Sequence, residues 1–268
     1  MMMILLVVFF VILLVVALVS LTSGARFAVN LEKFSSEPSE VSVTTLRLTD
    51  VSTTWTTDGI PRTIHQTAPN QKEKWHHIWE PCQKTWHENF KDFTYKMWDD
   101  EAIDDFMRGR FPSFYPIFKS YSHNIYRFDV FRYFLLYEYG GIYVDMDFEC
   151  VKNFFDLLPN GKVSIAESAI EGELFQNALM ASPPKHPFWH YVLYDIIASK
   201  DINQILQATG PLLIGRVVNV VPKNMFNGLP SEKFSVQSHP MIGDVFVRST
   251  RQDIYAIHHG SCSYCHEI

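Results

Sequence analysis

Apolar positions along the 268-residue chain fall into two regimes. Through residues 1–21 only Ser20 interrupts a continuous hydrophobic run. As a helix this run would extend about 31 Å, close to the hydrocarbon thickness of a bilayer. It lacks a basic start and exceeds the ~7–15-residue apolar region of a cleaved signal, which predicts an uncleaved membrane anchor over residues 1–22. Residues 23–58 are rich in Ser, Thr and Glu without a sustained period and predict a stem. From residue 59 to 268 the pattern is that of one folded domain. Residues 60–67 predict a strand leading to a polar turn at Pro69 and Asn70. Trp75, Ile78, Trp79, Cys82 and Trp86 then recur at helical spacing, marking one buried face. Residues 93–98 alternate as a strand, and Asp99 and Asp100 follow as an N-cap. Residues 129–139 are apolar all round, which predicts a buried helix ended by Gly140 and Gly141. A short β-rich run, Ile142 to Val144, leads directly into Asp145-Met146-Asp147. The β-α-β-α order predicts an α/β fold with a mostly parallel central sheet flanked by helices.

Charge and composition narrow the chemistry. A net charge of −6, with no clustered Lys or Arg, excludes a nucleic-acid backbone as partner. Aromatics reach 15% against 19% charged residues, so the core is expected to be rich in rings. The four cysteines, Cys82, Cys150, Cys262 and Cys265, are too sparse to define a disulfide framework, and no Asn-x-Ser/Thr acceptor occurs.

The candidate chemistry sits at Asp145 and Asp147. Side chains two apart on a strand point the same way, so both carboxylates would enter one volume with Met146 directed to the other side. Two converging carboxylates repel unless a cation lies beside them. Oxygen ligands suit Mg²⁺ or Mn²⁺, which take their remaining ligands from water and a phosphorylated substrate. In open α/β sheets ligands bind beyond the carboxyl ends of strands. Upstream, Asp129 and Arg132 share a helix face, set either for a local ion pair or for a polar ligand.

The run from Phe128 to Asp147 resembles the Asp-x-Asp block of glycosyltransferase family 32, which contains fungal initiating α-1,6-mannosyltransferases, inositolphosphoceramide mannosyltransferases and α-1,4-galactosyl- or N-acetylglucosaminyltransferases. Residues 60–67 are similar to the family's opening strand and residues 95–100 to its second. Asn177 through Trp189 are similar to the family's downstream helix region, and Thr209-Gly210-Pro211 and the terminal Ala256-Ile257-His258-His259 to further family landmarks. The resemblance implies a GT-A-type fold, a nucleotide-sugar donor and a divalent cation, usually Mn²⁺, with retention of anomeric configuration. By position it implies that Asp145 and Asp147 hold metal and diphosphate and that Asp129 and Arg132 meet the donor sugar or ribose. It further places His65, Gln66 and Gly141 near the donor and His258 as an additional metal contact. The terminal histidines are followed by Gly260-Ser261-Cys262, where the family commonly has Ser-Trp.

The resulting expectation is a metal-dependent retaining hexosyltransferase. GDP-mannose is the first donor and a UDP-sugar the second, and the acceptor is a glycan or glycosphingolipid. A single-pass type II anchor would hold the domain in the Golgi or secretory lumen, although Arg26 and Lys33 follow the apolar run and the positive-inside rule favours the cytosol. No later segment is long and apolar enough to span, which tilts the acceptor toward a glycan. The rival readings are a non-catalytic sugar- or metal-binding module on the same fold, and a zinc site at Cys262, Cys265 and neighbouring histidines. A haloacid-dehalogenase-type phosphatase is disfavoured because Glu149 stands where that motif expects Thr or Val.

Overall fold

The computed structural model describes residues 59–237 and 252–261. The expected anchor and stem, and the cysteine pair at 262 and 265, lie outside the described residues. Among those described, no helix is long and apolar enough to cross a membrane.

Strands β1 (Thr63–Thr67), β2 (Thr94–Trp98), β3 (Gly141–Val144), β5 (Val163–Glu167), β6 (Phe175–Ser182) and β7 (Phe226–Leu229) form a six-stranded sheet in the order β2-β1-β3-β6-β5-β7. The expected parallel half is present: β1 pairs in parallel with both β2 and β3. The remainder corrects the mostly parallel expectation. β6 runs antiparallel to β3 and to β5, and only β7 returns parallel beside β5. The short 168–174 connection is the reason, because a hairpin can only join antiparallel neighbours. The sheet is mixed and the fold is α/β.

Helix α1 (Trp79–Asn89) begins later than the tryptophan spacing suggests. Pro81 lies in its first turn, where a missing N–H costs nothing, and Cys82 and Trp86 supply its buried face. α2 (Asp100–Arg110) starts at the expected cap, with Asp99 Oδ1 accepting the Ala102 amide at 2.9 Å. After α3 (Tyr115–Ser120), α4 (Asn124–Tyr139) is buried along most of its length, as its all-round apolarity requires. It stops at Gly140, whose φ of +63° suits glycine, and where a Cβ would come within 2.6 Å of Ser182 O and Pro184 N. α5 (Phe188–Ala198), α6 (Ile205–Ala208), α7 (Pro211–Val220) and α8 (Ser231–Phe234) follow. α4 and α7 pack on the sheet, with α5 against both.

Strand alternation sorts the two faces of β3. Ile142 and Val144 join Ile64, Trp86, Phe90, Phe148 and Phe154 in one core, while Tyr143 turns toward Arg132 of α4. A second sheet, in the order β4-β9-β8, is built from β4 (Phe148–Cys150), β8 (Val236–Gln237) and β9 (Ala256–His258). Its antiparallel β4–β9 pairing sets His258 opposite Phe148, bringing the end of the described chain beside the Asp-x-Asp turn.

Candidate active site

A cleft opens beyond the carboxyl ends of β1, β2 and β3, where Thr67, Trp98, Asp145 and Asp147 all line it. Asp145, Met146 and Asp147 form a turn between β3 and β4 rather than the strand end expected from alternation, closed by the Phe148 amide donating to Asp145 O at 3.2 Å. Both carboxylates still reach the cleft. Met146 between them is buried and also borders the cleft.

Arg132 organises the inner wall. Its guanidinium lies 3.2 Å from Asp145 Oδ2 and 3.2 Å from Asp129 Oδ1, donates to Asn177 O at 2.9 Å, and covers the Tyr143 ring at 4.8 Å. The i,i+3 ion pair with Asp129 therefore exists, and it extends to Asp145. Asp129 also accepts from Asn177 Nδ2 at 2.8 Å and from Thr209 Oγ1 at 3.0 Å. Burial lifts its carboxyl to about 6 against the pull of Arg132, with Asp145 adding to the rise. Asp145 Oδ1 accepts the Tyr143 hydroxyl at 2.7 Å, which in turn meets Thr67 Oγ1 at 3.1 Å. Burial raises the Asp145 carboxyl, Arg132 opposes the rise, and Asp147 adds to it.

Asp147 is held differently. Its Oδ2 accepts both the Ser261 amide (2.8 Å) and the Ser261 hydroxyl (3.0 Å). Among the described residues its Oδ1 is buried without a hydrogen-bond partner, with His258 Nε2 3.6 Å away. Burial would raise this carboxyl, but His258 and the two Ser261 donors outweigh it and hold it at about 2. The His258 ring stacks on Phe148 at 4.3 Å, which fixes where its nitrogen points. An orphaned carboxylate oxygen beside an imidazole nitrogen fits Mn²⁺ chemistry. No group of three or more acidic, His or Cys side chains suited to a metal occurs among the described residues. The chain therefore offers part of a coordination shell, the kind that phosphate oxygens and water complete.

Three residues expected near the donor, His65, Gln66 and Gly141, do not line the cleft. His65 is 1% exposed, accepts from Trp98 Nε1 at its Nδ1 (3.2 Å), and its Nε2 meets Gly140 O at 3.1 Å. With both ring nitrogens engaged it has none for a ligand. Burial and nearby Lys96 lower its pKa to about 4, so it is a neutral strut between β1, β2 and the α4–β3 turn. Gln66 is fully buried and donates to Asp145 O at 3.3 Å, supporting the turn from behind. Gly141 opens β3 at the end away from Asp145. Its φ is +93° and a Cβ would lie 2.7 Å from Thr63 O, so it serves the close approach of β1.

Residues 77–164 match the family model described as a glycosyltransferase sugar-binding region containing the DXD motif, and here the D-x-D carboxylates are those of the cleft. Over this region the chain is similar to DXD glycosyltransferases. It is 35% identical over 158 residues to inositol phosphoceramide mannosyltransferase 1 of Schizosaccharomyces pombe, covering 57% of this chain and 49% of that protein. It is 34% identical over 165 residues to a mannosyl phosphorylinositol ceramide synthase of Saccharomyces cerevisiae, covering 59% and 42%. The chain thus spans about half the length of these relatives or less. Among solved structures it is similar to the PaToxG glycosyltransferase, with a TM-score of 0.46 at 20% identity over 60% of this chain and 69% of that one.

Around the DXD turn the fold adds groups to which the sequence assigned no role: Tyr143 and Thr67, Asn177 and Thr209, Ser261, and the walls Trp79 and Trp98. Asn177 and Thr209 stand within landmark segments, which was the available signal. The Tyr143 contact follows from strand alternation only once β1 is known to lie beside β3.

Proposed function

We propose that the protein is a GT-A-type, divalent-cation-dependent glycosyltransferase that moves mannose from GDP-mannose to an inositol-phosphate-bearing sphingolipid, with retention at the anomeric carbon. The observation that carries this reading is the partnerless Asp147 Oδ1 beside His258 Nε2, in a cleft that Arg132 also lines. Asp147 and His258 would hold the cation, with Asp145 beside them. Once bound, the ion supplies Lewis-acid stabilisation to a departing diphosphate. Arg132 adds fixed positive charge from a buried position, where it acts more strongly than in water. Asp129 keeps that guanidinium in place. Its oxygens are taken up by Arg132, Asn177 and Thr209, which fits a positioning role better than nucleophilic attack and supports front-face substitution over a covalent intermediate. The names of the relatives favour a phosphoinositol sphingolipid over a free glycan as acceptor. The expected anchor would keep the domain at the membrane where such an acceptor resides, with a lumenal orientation.

The test uses the full chain in detergent with GDP-mannose or UDP-sugars, with and without Mn²⁺, and with inositol phosphoceramide or free oligosaccharide as acceptor. Mn²⁺-dependent mannosyl transfer to the lipid, abolished in Asp147→Ala, is the expected result. Absence of both transfer and donor hydrolysis under every combination would refute the reading and favour a binding module.

A further inference from the structure

The cleft has two ends of different character. Arg132, Asp145, Asp147 and Ser261 gather at the β3 end, while Trp98 and Asp100 lie at the β2 end. The sheet order sets β2 two strands from β3, or about 10 Å at the usual strand spacing. That is the span of a nucleoside diphosphate from its phosphates to the outer edge of its base. Trp79, Trp98, Ile125 and Phe128 wall the cleft, surfaces on which a base can stack.

Asp100 stands out at this end because, beyond its place in the first turn of α2, no described side chain engages its carboxylate. The helix is capped by its neighbour, with Asp99 Oδ1 on the Ala102 amide. Asp104 is taken by Tyr115 and Lys119, and Asp105 by Arg108. Among the described residues no hydrogen bond or ion pair engages the Asp100 carboxylate. Glu101 beside it lines only an adjoining hollow, whereas Asp100 stands where that hollow meets the cleft and borders both.

We propose that Asp100 is a specificity-determining residue that reads the donor's base and selects guanine over uracil. This rests on the nucleotide-sugar reading above. Guanine presents its N1–H and exocyclic amine as adjacent donors, which two carboxylate oxygens accept side by side. Uracil presents one N–H between two carbonyls, whose lone pairs face the carboxylate and repel it. The same side chain therefore attracts one base and penalises the other, the two halves of a specificity device.

The experiment is calorimetric binding of GDP, IDP and UDP to the full chain in detergent with Mn²⁺. IDP differs from GDP only in lacking the exocyclic amine. Wild type is expected to bind GDP at least roughly tenfold more tightly than IDP, the loss of one charge-assisted hydrogen bond, and more tightly than UDP. In Asp100→Asn, GDP binding should weaken about tenfold and the GDP-to-IDP ratio should fall to near one, while UDP binding should tighten as the repulsion of its carbonyls is relieved. Glu101→Gln should behave as wild type. Asp100 is exposed and leaves the cap on Asp99, so an unchanged melting temperature will show that the variant is folded. Equal binding of GDP and IDP to wild type, or a parallel loss for all three nucleotides in Asp100→Asn, would overturn the proposal while leaving the transferase reading intact. Failure of all three to bind wild type would sink both.

Discussion

Arg132→Met isolates the electrostatics of the site. Arg132 and Asp129 are each 4% exposed, and the guanidinium contacts Asp129 and Asp145 at 3.2 Å each. Removing it leaves two buried or half-buried carboxylates facing one another without their cation. Breaking one partner of a buried ion pair costs about 3–5 kcal/mol, a drop in Tm of about 10 °C for a domain of this size. The loss must also depend on pH in a definite sense. Without Arg132 both carboxyls titrate higher in the folded state than in the unfolded chain. The folded form then prefers them protonated, so the deficit is small below the unfolded values and grows as pH rises through the elevated ones. Urea unfolding of wild type and Arg132→Met near pH 5 and near pH 8 measures this, the expected gap being larger at the higher value by about 2 kcal/mol or more. Arg132→Met combined with Asp129→Asn should recover part of the loss. A deficit independent of pH, or no deficit at pH 8, would show that Arg132 is not balancing these charges.

Asp129→Asn alone should flatten the pH dependence of wild-type stability. The folded carboxyl at about 6 lies above the ordinary aspartate value of 3.8, so stability present below pH 4 is lost as pH rises through 6, and urea midpoints across this range will show whether the variant removes the slope. Gly140→Ala should cost at least about 1–3 kcal/mol, because it forces a side chain into a strained φ and sets a Cβ within 2.6 Å of backbone atoms of Ser182 and Pro184. A thermal melt indistinguishable from wild type would refute this account of the α4–β3 turn.

What could be read from the sequence was local. The Asp129–Arg132 pair follows from helical spacing, the Asp99 cap from its place before α2, and the end of α4 from two glycines. The segment from Asn177, expected as a helix region, is helical only from Phe188; its first part is β6, whose pairing is set by the hairpin before it, and the single turn residue Gly172 (φ +88°) was too weak a signal to reveal that hairpin. The wider site is non-local: Asn177 and Thr209 reach Asp129 across 48 and 80 residues, and periodicity carries no information at that range. His65 shows the opposite failure. The family resemblance implied that this histidine lies near the donor, yet in the middle of β1 its two nitrogens are consumed by Trp98 and Gly140. Chemistry at the DXD turn was legible as residue type, but the division of labour between its two carboxylates was not, since it depends on what each oxygen already holds.

That division depends on Ser261. Asp147 can offer Oδ1 toward His258 only because Oδ2 is pinned by the Ser261 amide and hydroxyl, and the hydroxyl itself accepts from Trp79 Nε1 at 3.0 Å. Trp79 at the start of α1 thus orients a carboxylate through a residue 182 positions later. If this chain of hydrogen bonds acts as a unit, its members must be energetically coupled. Ser261→Ala keeps the backbone donor but leaves the indole N–H and one lone pair of Asp147 unmet, a cost of about 1–3 kcal/mol. Trp79→Phe removes the indole donor. Because each single change disables the same Trp79–Ser261 bond, the double variant should lose less than the two singles added together, by about 0.5 kcal/mol or more. The same non-additivity should appear in the apparent affinity for Mn²⁺ with GDP, since misorienting Oδ1 weakens the cation's protein-side contact. Strict additivity in both stability and affinity would mean that Ser261 and Trp79 merely pack side by side, and that Asp147 is oriented by the backbone of the turn alone.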